Sequence, residues 1–376
     1  MNFQMINQTP ERKGDHIKIC LEKDVQAKRI TTGFEDVFFV HRALPETDRG
    51  KIDLTMKLFD HRFSAPIIVG AMTGGTSEAT KINKTIAEAV QKLGLGMGVG
   101  SQRAAIEDAK LECGFAEVRK KAPTAFLVAN IGAPQLVQGW RLDQVQIAVN
   151  MIDADALAIH LNPLQEAIQP EGETNYANAL EKISEIATGL DVPVIAKETG
   201  AGIAAEEARE LEGAGVKGID VSGAGGTSWA AVEYYRAKAA MDEKGERLGQ
   251  TFWDWGIPTA VSVFEVSNSA SVPVIASGGI RTGLDAAKSL ALGASLVSVS
   301  APVLRSATQS VGQVKKRLEL IIEELRNAMF LTGSGNIKKL KTVPIVVTGK
   351  TAQWLLMRGF HPVGLARRGS KDRSKH

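Results

Sequence analysis

The chain has 376 residues and a formal net charge of only +3, from 45 basic and 42 acidic side chains, which argues against nucleic acid as a partner. Its two cysteines, Cys20 and Cys113, lie far apart and argue against a disulfide framework or a zinc site. No apolar run approaches the roughly 20 residues of a membrane span, and the start lacks the apolar core of a signal peptide. We therefore expect a cytoplasmic protein.

Residues 1–65 are predicted to form an N-terminal extension. They contain a helix-like start and two β-like stretches, at 36–40 and 51–59. The segment PERKGDH (10–16) brings a basic cluster together near the start of the chain, formed by Arg12, Lys13 and His16. Such a cluster is normally a solvated surface, so the charges alone assign it no function.

From about residue 66 the sequence repeats one pattern, in which a short apolar run is followed by a helix-like segment. The runs are rich in Val, Ile and Ala, which is typical of parallel strands covered on both faces. They lie at 66–72, 95–101, 125–131, 156–162, 193–199, 217–223, 273–279 and 295–301. Eight such strands alternating with helices predict an α/β fold, a (β/α)8 TIM barrel over residues 66–330. An open sheet of eight strands is the alternative.

Two segments depart from the repeat. Residues 229–256 are predicted to be an insertion that precedes a helix beginning near Pro258. After a long amphipathic stretch at 309–330 comes a C-terminal segment, 331–376, whose basic end at 367–376 is predicted to be disordered. No low-complexity linker interrupts the chain, so we expect one domain with an N-terminal extension.

Polar side chains follow every predicted strand. Barrel active sites form at the carboxyl ends of the strands, and eight polar ends together predict such a site. The strongest pair is ASGGIRTG (276–283) and GASLVSVSAP (293–302), whose glycines would let backbone N–H groups approach a phosphate. Arg281 would add a charge-assisted bond. The loop GAGGTSW (223–229) could cradle another phosphate or a ring system, or could simply be a turn.

Two further strand ends carry candidate chemistry. Lys197 would project into the barrel mouth, where an unpaired ammonium is costly, so we expect an anionic partner. Its role stays open between a lysine beside the N1 and C2=O of a reduced flavin and a Schiff-base lysine. The segment HLNPLQE (160–166) places an imidazole, two amides and a carboxylate together. Glu166 could hold one Mg²⁺ whose shell is completed by substrate phosphates and waters.

Seven motifs in chain order resemble the type 2, FMN-dependent isopentenyl diphosphate isomerases. They are ERKGDH, AMTGG, GSQR, HLNPLQE, VIAKETG, SGAGGTSW with Glu233 beyond it, and ASGGIRTG. The resemblance implies an FMN-binding barrel that converts isopentenyl diphosphate to dimethylallyl diphosphate in isoprenoid biosynthesis. It also implies Mg²⁺, NADPH or NADH as the flavin reductant, and a homo-oligomer, either a homotetramer or a homo-octamer.

The resemblance also implies roles for individual residues. FMN would contact Met72, Thr73, Ser101, Asn130, Lys197, Ser222, Thr227, Gly278, Gly279, Arg281, Ser300 and Ala301. The substrate would contact Arg12, Lys13, His16, Arg103, His160, Asn162, Gln165, Trp229 and Glu233, the last two around its alkenyl end. Glu166 would bind Mg²⁺. Our hypothesis is that reduced FMN is the acid–base element through N5, with Gln165 and His160 as the catalytic side chains.

Two other classes of protein remain as alternatives. One is an FMN oxidoreductase of the 2-hydroxyacid oxidase or IMP-dehydrogenase-like class. The first would need a histidine base with carboxylate-binding arginines, and the second a catalytic cysteine after the sixth strand, where this chain has GAGGTSW. The other alternative is a non-catalytic flavin-binding barrel, which would leave HLNPLQE and the basic N-terminus without a role.

Overall fold

The structure is a computed structural model that describes residues 3–369, with side chains from Arg12 onward. Its N-terminal part contains α1 (Phe3–Glu22), 3₁₀ turns at Phe34–Asp36 and Arg49–Lys51, and the strands β1 (Val37–Phe39), β2 (Met56–Leu58) and β3 (His61–Phe63). Strands β2 and β3 form an antiparallel hairpin. Its aromatic side chains pack on Phe126, so the hairpin covers the end of the barrel at which the strands begin.

Eight parallel strands close into a barrel, which confirms the predicted fold and excludes the open sheet. The closing contact pairs Val299 with Val69. Each apolar run supplies one strand: β4 (Ile67–Val69), β5 (Gly96–Gly98), β6 (Phe126–Gly132), β7 (Ala156–Leu161), β8 (Val194–Glu198), β9 (Gly218–Asp220), β10 (Val274–Ala276) and β11 (Leu296–Val299).

Helices surround the barrel, and their ends follow from local sequence. In the first of them, Thr76 Oγ1 accepts from the N–H of Ala79, and Gly94 ends the helix in the left-handed conformation, at φ 61°. The helices are α2 (Ser77–Leu93), α3 (Arg103–Glu107), α4 (Glu112–Lys121), α5 (Ala133–Val137), α6 (Leu142–Met151), α7 (Pro163–Ile168), α8 (Ala179–Gly189), α9 (Ala205–Gly213), α10 (Trp229–Ala239), α11 (Glu243–Thr251), α12 (Thr259–Ser267), α13 (Gly283–Leu292), α14 (Ala301–Ala307) and α15 (Val311–Leu331). None of the helices within residues 3–369 combines the length and apolar character needed to cross a membrane.

The C-terminal segment folds back onto the N-terminal extension. It contains α16 (Ile337–Leu340), β12 (Ile345–Val347), α17 (Gly349–Met357) and α18 (Val363–Ala366). Strand β12 pairs antiparallel with β1, matching Val37 with Val347. The two regions outside the barrel repeat are therefore joined by a two-stranded sheet. Most of the tail predicted to be disordered, from residue 370 onward, lies outside the described residues.

Candidate active site

A cavity of about 330 Å³ opens where the barrel strands end. This is an ordinary size for a small-molecule site. Its walls contain every residue that the sequence assigned to the cofactor, the metal and the substrate, with the exception of Glu233. Helix α1 closes one side with Arg12, Lys13 and His16. The basic cluster near the start of the chain is therefore part of the cavity wall and not a solvated surface.

Glu233 lies behind the wall, which corrects the expectation that it lines the cavity. Its side chain is 0% exposed, and its Oε1 is 3.0 Å from both His16 Nε2 and Gln165 Nε2. Burial by itself would raise the pKa of Glu233, but His16, Arg236 and Gln165 together lower it to about 2. Glu233 is thus an ionised acceptor that acts on the cavity through two of its lining residues.

Gln165 is held at both ends of its amide. Its Nε2 donates to Glu233, and its Oε1 accepts from Asn162 Nδ2 at 3.3 Å. Asn162 is fixed in turn by Tyr176, whose hydroxyl donates to Asn162 Oδ1 at 3.0 Å. These bonds set the orientation of the Gln165 amide, because the carboxylate can only accept.

Hydrogen bonds also fix the tautomer of His160. Asn130 Nδ2 donates to the carbonyl of Val99 at 3.0 Å, which turns its Oδ1 toward His160 Nδ1 at 2.8 Å. The Nδ1 atom of His160 therefore carries the proton and Nε2 accepts. Burial, with the charges of Lys197 and Lys13, lowers the pKa of His160 to about 3, so the imidazole is neutral near pH 7.

Three cations, Arg12, Lys13 and Arg103, gather at one end of the cavity. Lys13 Nζ donates to the carbonyl of Ser101 at 3.1 Å, and burial, with the charges of Arg12 and Arg103, lowers its pKa to about 7. Arg12 Nε is buried without a hydrogen-bond partner among the described atoms. Buried cationic groups that lack partners are costly, so this end of the cavity suits an anion.

Another part of the cavity wall carries Lys197 of β8, whose register partner on β9 is Asp220. Lys197 Nζ donates to the carbonyl of Glu198 at 2.5 Å and forms no ion pair with a carboxylate of the described chain. Burial raises the pKa of Asp220, although the Lys197 charge opposes that shift. Because Lys197 has no carboxylate partner within ion-pair distance among the described residues, the expected anionic partner of Lys197 would come from a bound group.

Two glycine-rich loops meet beside this lysine. A Cβ atom at Gly278 would lie 2.1 Å from the carbonyl oxygen of Gly223, and one at Gly226 would lie 2.4 Å from the Gly279 nitrogen. Gly278 also has φ +95°, in the left-handed region. The loops after β9 and β10 are therefore in backbone contact, which requires glycine at these positions.

Comparison with known proteins identifies the family. A profile of the FMN-dependent dehydrogenases matches residues 6–117 and 119–346. The isopentenyl-diphosphate delta-isomerase of Methanosarcina barkeri is 50% identical over 357 residues, covering 95% of this chain and 97% of the relative. That of Archaeoglobus fulgidus is 50% identical over 351 residues, covering 93% and 99%. The chain belongs to the type 2, FMN-dependent isopentenyl-diphosphate delta-isomerase family.

Solved structures agree with the family at the level of the fold. A mandelate oxidase variant with benzaldehyde has a TM-score of 0.61 and 20% identity, covering 92% of this chain and 97% of that one. Mandelate oxidase with (S)-2-phenylpropionate has a TM-score of 0.60 at 20% identity, covering 91% and 98%. This chain therefore shares its barrel fold with mandelate oxidase.

The FMN of this family fits the end of the cavity with the glycine-rich loops. Backbone from Gly278 and Gly279 lines the cavity together with Arg281, whose guanidinium also bonds Gln26 Oε1. A backbone cradle beside an arginine suits a phosphate, and Lys197 suits the negative charge of a reduced flavin. The residues present thus match both the phosphate and the ring of FMN.

A Mg²⁺ ion fits beside Glu166. Glu166 Oε1 accepts from Asn162 Nδ2 at 2.7 Å, and its Oε2 accepts from Gln169 Nε2 at 2.6 Å. Gln169 also lines the cavity, and its Oε1 is a buried acceptor with no donor among the described atoms. Within residues 3–369 no group of three metal-binding side chains occurs. Such a sparse oxygen set suits an ion that keeps its waters and takes phosphate ligands.

Gln169, Tyr176 and Arg236 are among the residues in and around this isomerase-family site that were not predicted from the sequence. Gln169 follows Glu166 by one helical turn, so its helical spacing was a usable signal. Tyr176 and Arg236 lie in segments without a motif, and only their contacts to Asn162 and Glu233 reveal them.

Proposed function

We propose that the chain converts isopentenyl diphosphate to dimethylallyl diphosphate, with reduced FMN as the acid–base group and Mg²⁺ on the diphosphate. One observation carries the proposal: a single cavity joins a cationic end to an end lined by two glycine-rich loops. A diphosphate ester with a short apolar tail would span these two ends. Relatives at 50% identity that are named isopentenyl-diphosphate delta-isomerase support this substrate.

The cationic end would anchor the diphosphate. Arg12 and Arg103 offer charge-assisted hydrogen bonds, and an incoming anion would raise the pKa of Lys13 from about 7 and so keep its ammonium charged. Glu166, with Gln169, would hold Mg²⁺ between the protein and the phosphates. Binding energy gained at this end positions the alkene without touching it.

At the alkene end, a double bond moves when one carbon gains a proton and another loses one, with no change in oxidation state. Bound, reduced FMN supplies the acid–base group, at N5. The clamped amide of Gln165 and the neutral imidazole of His160 orient the substrate or relay protons. Trp229 offers an aromatic face to the tertiary cationic character that develops when an unactivated alkene is protonated.

The test is an anaerobic incubation of the purified protein with FMN, Mg²⁺, NADPH and isopentenyl diphosphate, followed by NMR. We expect dimethylallyl diphosphate to form without stoichiometric loss of NADPH, and oxidised FMN in an anaerobic incubation without NADPH to give no product. Equal rates with oxidised and reduced flavin would exclude the acid–base role of the flavin. A flavin that is reduced while the alkene stays unchanged would favour an FMN oxidoreductase.

Four finer expectations remain predictions: NADPH or NADH as reductant, a cytoplasmic location, absence of nucleic-acid binding, and assembly into a homotetramer or homo-octamer. Kinetics with each nucleotide and light scattering of the holoenzyme test the reductant and the assembly. The Schiff-base role for Lys197 would be supported by borohydride trapping of a substrate carbonyl, which an alkenyl diphosphate lacks.

A further inference from the structure

Arg236 joins two carboxylates that come from different parts of the fold. From α10, its Nη1 donates to Glu233 Oε2 at 2.6 Å and its Nη2 donates to Glu171 Oε1 at 2.6 Å. The Arg236 side chain is 17% exposed and that of Glu233 is 0% exposed. Two short charge-assisted bonds in such a place fix the guanidinium and both carboxylates.

The bond to Arg236 determines which carboxylate oxygen of Glu233 accepts hydrogen bonds from the cavity-lining residues. With Oε2 engaged by the guanidinium, Oε1 is left to accept from His16 and Gln165, both at 3.0 Å. Both of these side chains line the cavity, whereas Arg236 does not. Any influence of Arg236 on His16 and Gln165 therefore passes through Glu233.

The other arm of Arg236 leads back to the cationic end. Glu171 Oε1 is also 3.8 Å from Arg12 Nη1. A chain of alternating charges thus begins at Arg12 in the cavity wall and continues behind the wall through Glu171, Arg236 and Glu233. It connects the proposed diphosphate end to the proposed alkene end.

We propose that Arg236 is a positioning residue for the isomerisation: it holds the Glu233 carboxylate so that His16 and Gln165 keep the orientation the alkene end requires. The inference rests on the proposed function. Without the guanidinium, Glu233 would be a buried carboxylate with one unpaired oxygen, which favours the protonated form. A protonated Glu233 would no longer accept from His16 and Gln165 as it does when ionised.

Several groups face Glu233 besides Arg236. Helix α1 contributes His16 and Cys20, α7 contributes the neutral Gln165, and Glu171 acts through Arg236. Burial opposes ionisation of Glu233, and the pKa of about 2 depends on His16, Arg236 and Gln165. Since Arg236 is one of these contributors, its loss should raise the pKa of Glu233 and leave the remaining groups in place.

The experiment uses three variants of the holoenzyme. Arg236→Met removes the charge and keeps the length, Arg236→Lys keeps the charge and loses the two-armed geometry, and Lys238→Met is the matched control on the same helix. Lys238 has a 60% exposed side chain and lies 3.9 Å from Glu246. For each variant kcat and KM are measured across pH, together with bound FMN and the midpoint of thermal unfolding.

We expect Arg236→Met to lower kcat by at least about tenfold, with KM for the diphosphate changed less than about threefold. The acid limb of its pH profile should move to higher pH, and Arg236→Lys should restore the limb and part of kcat. Lys238→Met should behave as wild type. A wild-type pH profile in Arg236→Met would overturn the inference, as would a loss of kcat that only parallels loss of FMN or of the folded state.

Infrared spectroscopy measures the ionisation of Glu233 without turnover. A failure of the positioning role can therefore be told apart from a failure of the proposed function. In mildly acidic buffer, Arg236→Met should show a protonated carboxyl band in addition to those of the wild type, in which burial already raises the pKa of Glu198 to about 7. The band should vanish in the Arg236→Met/Glu233→Gln double variant. If wild type makes no dimethylallyl diphosphate but the band appears, the substrate assignment is wrong and the positioning of Glu233 stands. If the band does not appear, the positioning role is wrong.

Discussion

Asn130 and His160 lie on neighbouring barrel strands and are joined by a hydrogen bond, in which His160 Nδ1 donates to Asn130 Oδ1 at 2.8 Å. The register of β6 and β7 pairs His160 with Gly132, so Asn130 is its diagonal neighbour, two residues back on the same strand. Gly132 leaves the space for this arrangement, because a Cβ there would lie 2.8 Å from His160 Nε2. A neutral imidazole with a fixed tautomer follows from strand register.

The lowered pKa of His160 predicts sensitivity to acid. Its folded-state pKa is about 3, against about 6.5 in an unfolded chain. Between these values the unfolded state binds more protons, so the free energy of unfolding falls as the pH falls, by up to about 1.4 kcal/mol per pH unit. We expect His160→Gln to flatten this dependence between pH 6 and pH 4, roughly the middle of the window.

Urea unfolding at a series of pH values measures this dependence. The matched control is His41→Gln, since His41 is an exposed histidine. Its pH dependence should follow that of the wild type. Parallel curves for wild type and His160→Gln would show that His160 is not held neutral.

Replacement of Gln165 by leucine should reduce turnover strongly. The change removes the bond from Nε2 to Glu233 and one of the two acceptors of Asn162 Nδ2, which keeps its bond to Glu166 Oε1. We expect kcat to fall by about 10²–10³-fold, with bound FMN unchanged because Gln165 is remote from the glycine-rich loops in sequence and in contacts. The control is Gln146→Leu on α6, where Gln146 bonds Asn150. Equal kcat values in Gln165→Leu and Gln146→Leu would show that Gln165 has no role in turnover.

Replacement of Glu166 by glutamine should weaken the response to Mg²⁺. The Mg²⁺ concentration that gives half-maximal activity should rise by at least about tenfold, because the only proposed carboxylate ligand loses its charge. Gln169→Leu should give a smaller rise, since it removes the unpartnered Oε1 atom. The exposed Glu181→Gln on α8 serves as the control.

Binding of Mn²⁺ in the presence of inorganic diphosphate, followed by electron paramagnetic resonance, measures the same site without catalysis. Unchanged affinity in Glu166→Gln would place the metal elsewhere.

The substitution Gly278→Ala should lower the amount of FMN that the protein binds. Alanine would keep φ near +95° and would bring its Cβ to 2.1 Å from the Gly223 carbonyl oxygen. The backbone strain alone is about 1–3 kcal/mol, and relief of the clash would separate the two glycine-rich loops. Bound FMN, read from its visible absorbance, should decrease.

The matched control is Gly364→Ala in α18. A Cβ there would meet no atom within 4 Å, so both stability and flavin content should be retained. Full flavin content in Gly278→Ala would exclude these loops as the phosphate cradle.

The sequence by itself determined the barrel and most of the candidate site. Parallel strands covered on both faces give continuous apolar runs, and closure of the barrel brings all their carboxyl ends to one face. Residues as distant in sequence as Met72 and Arg281 could therefore be assigned to one cavity from their positions after a strand. The glycine loops were predictable for the same reason, since left-handed backbone and close contact leave a compositional trace.

Only the tertiary structure decided what stands behind the cavity wall. Glu233 was expected to line the cavity, yet the packing of α10 against α1 and α7 buries it between His16 and Gln165. The bridging role of Arg236 and the pairing of β1 with β12 were likewise not predicted. These contacts join elements through interhelical packing and chain reversal, which depend on side-chain volumes across the whole molecule. Local periodicity carries no information about them, because a helix of given amphipathicity can present its buried face to many different neighbours.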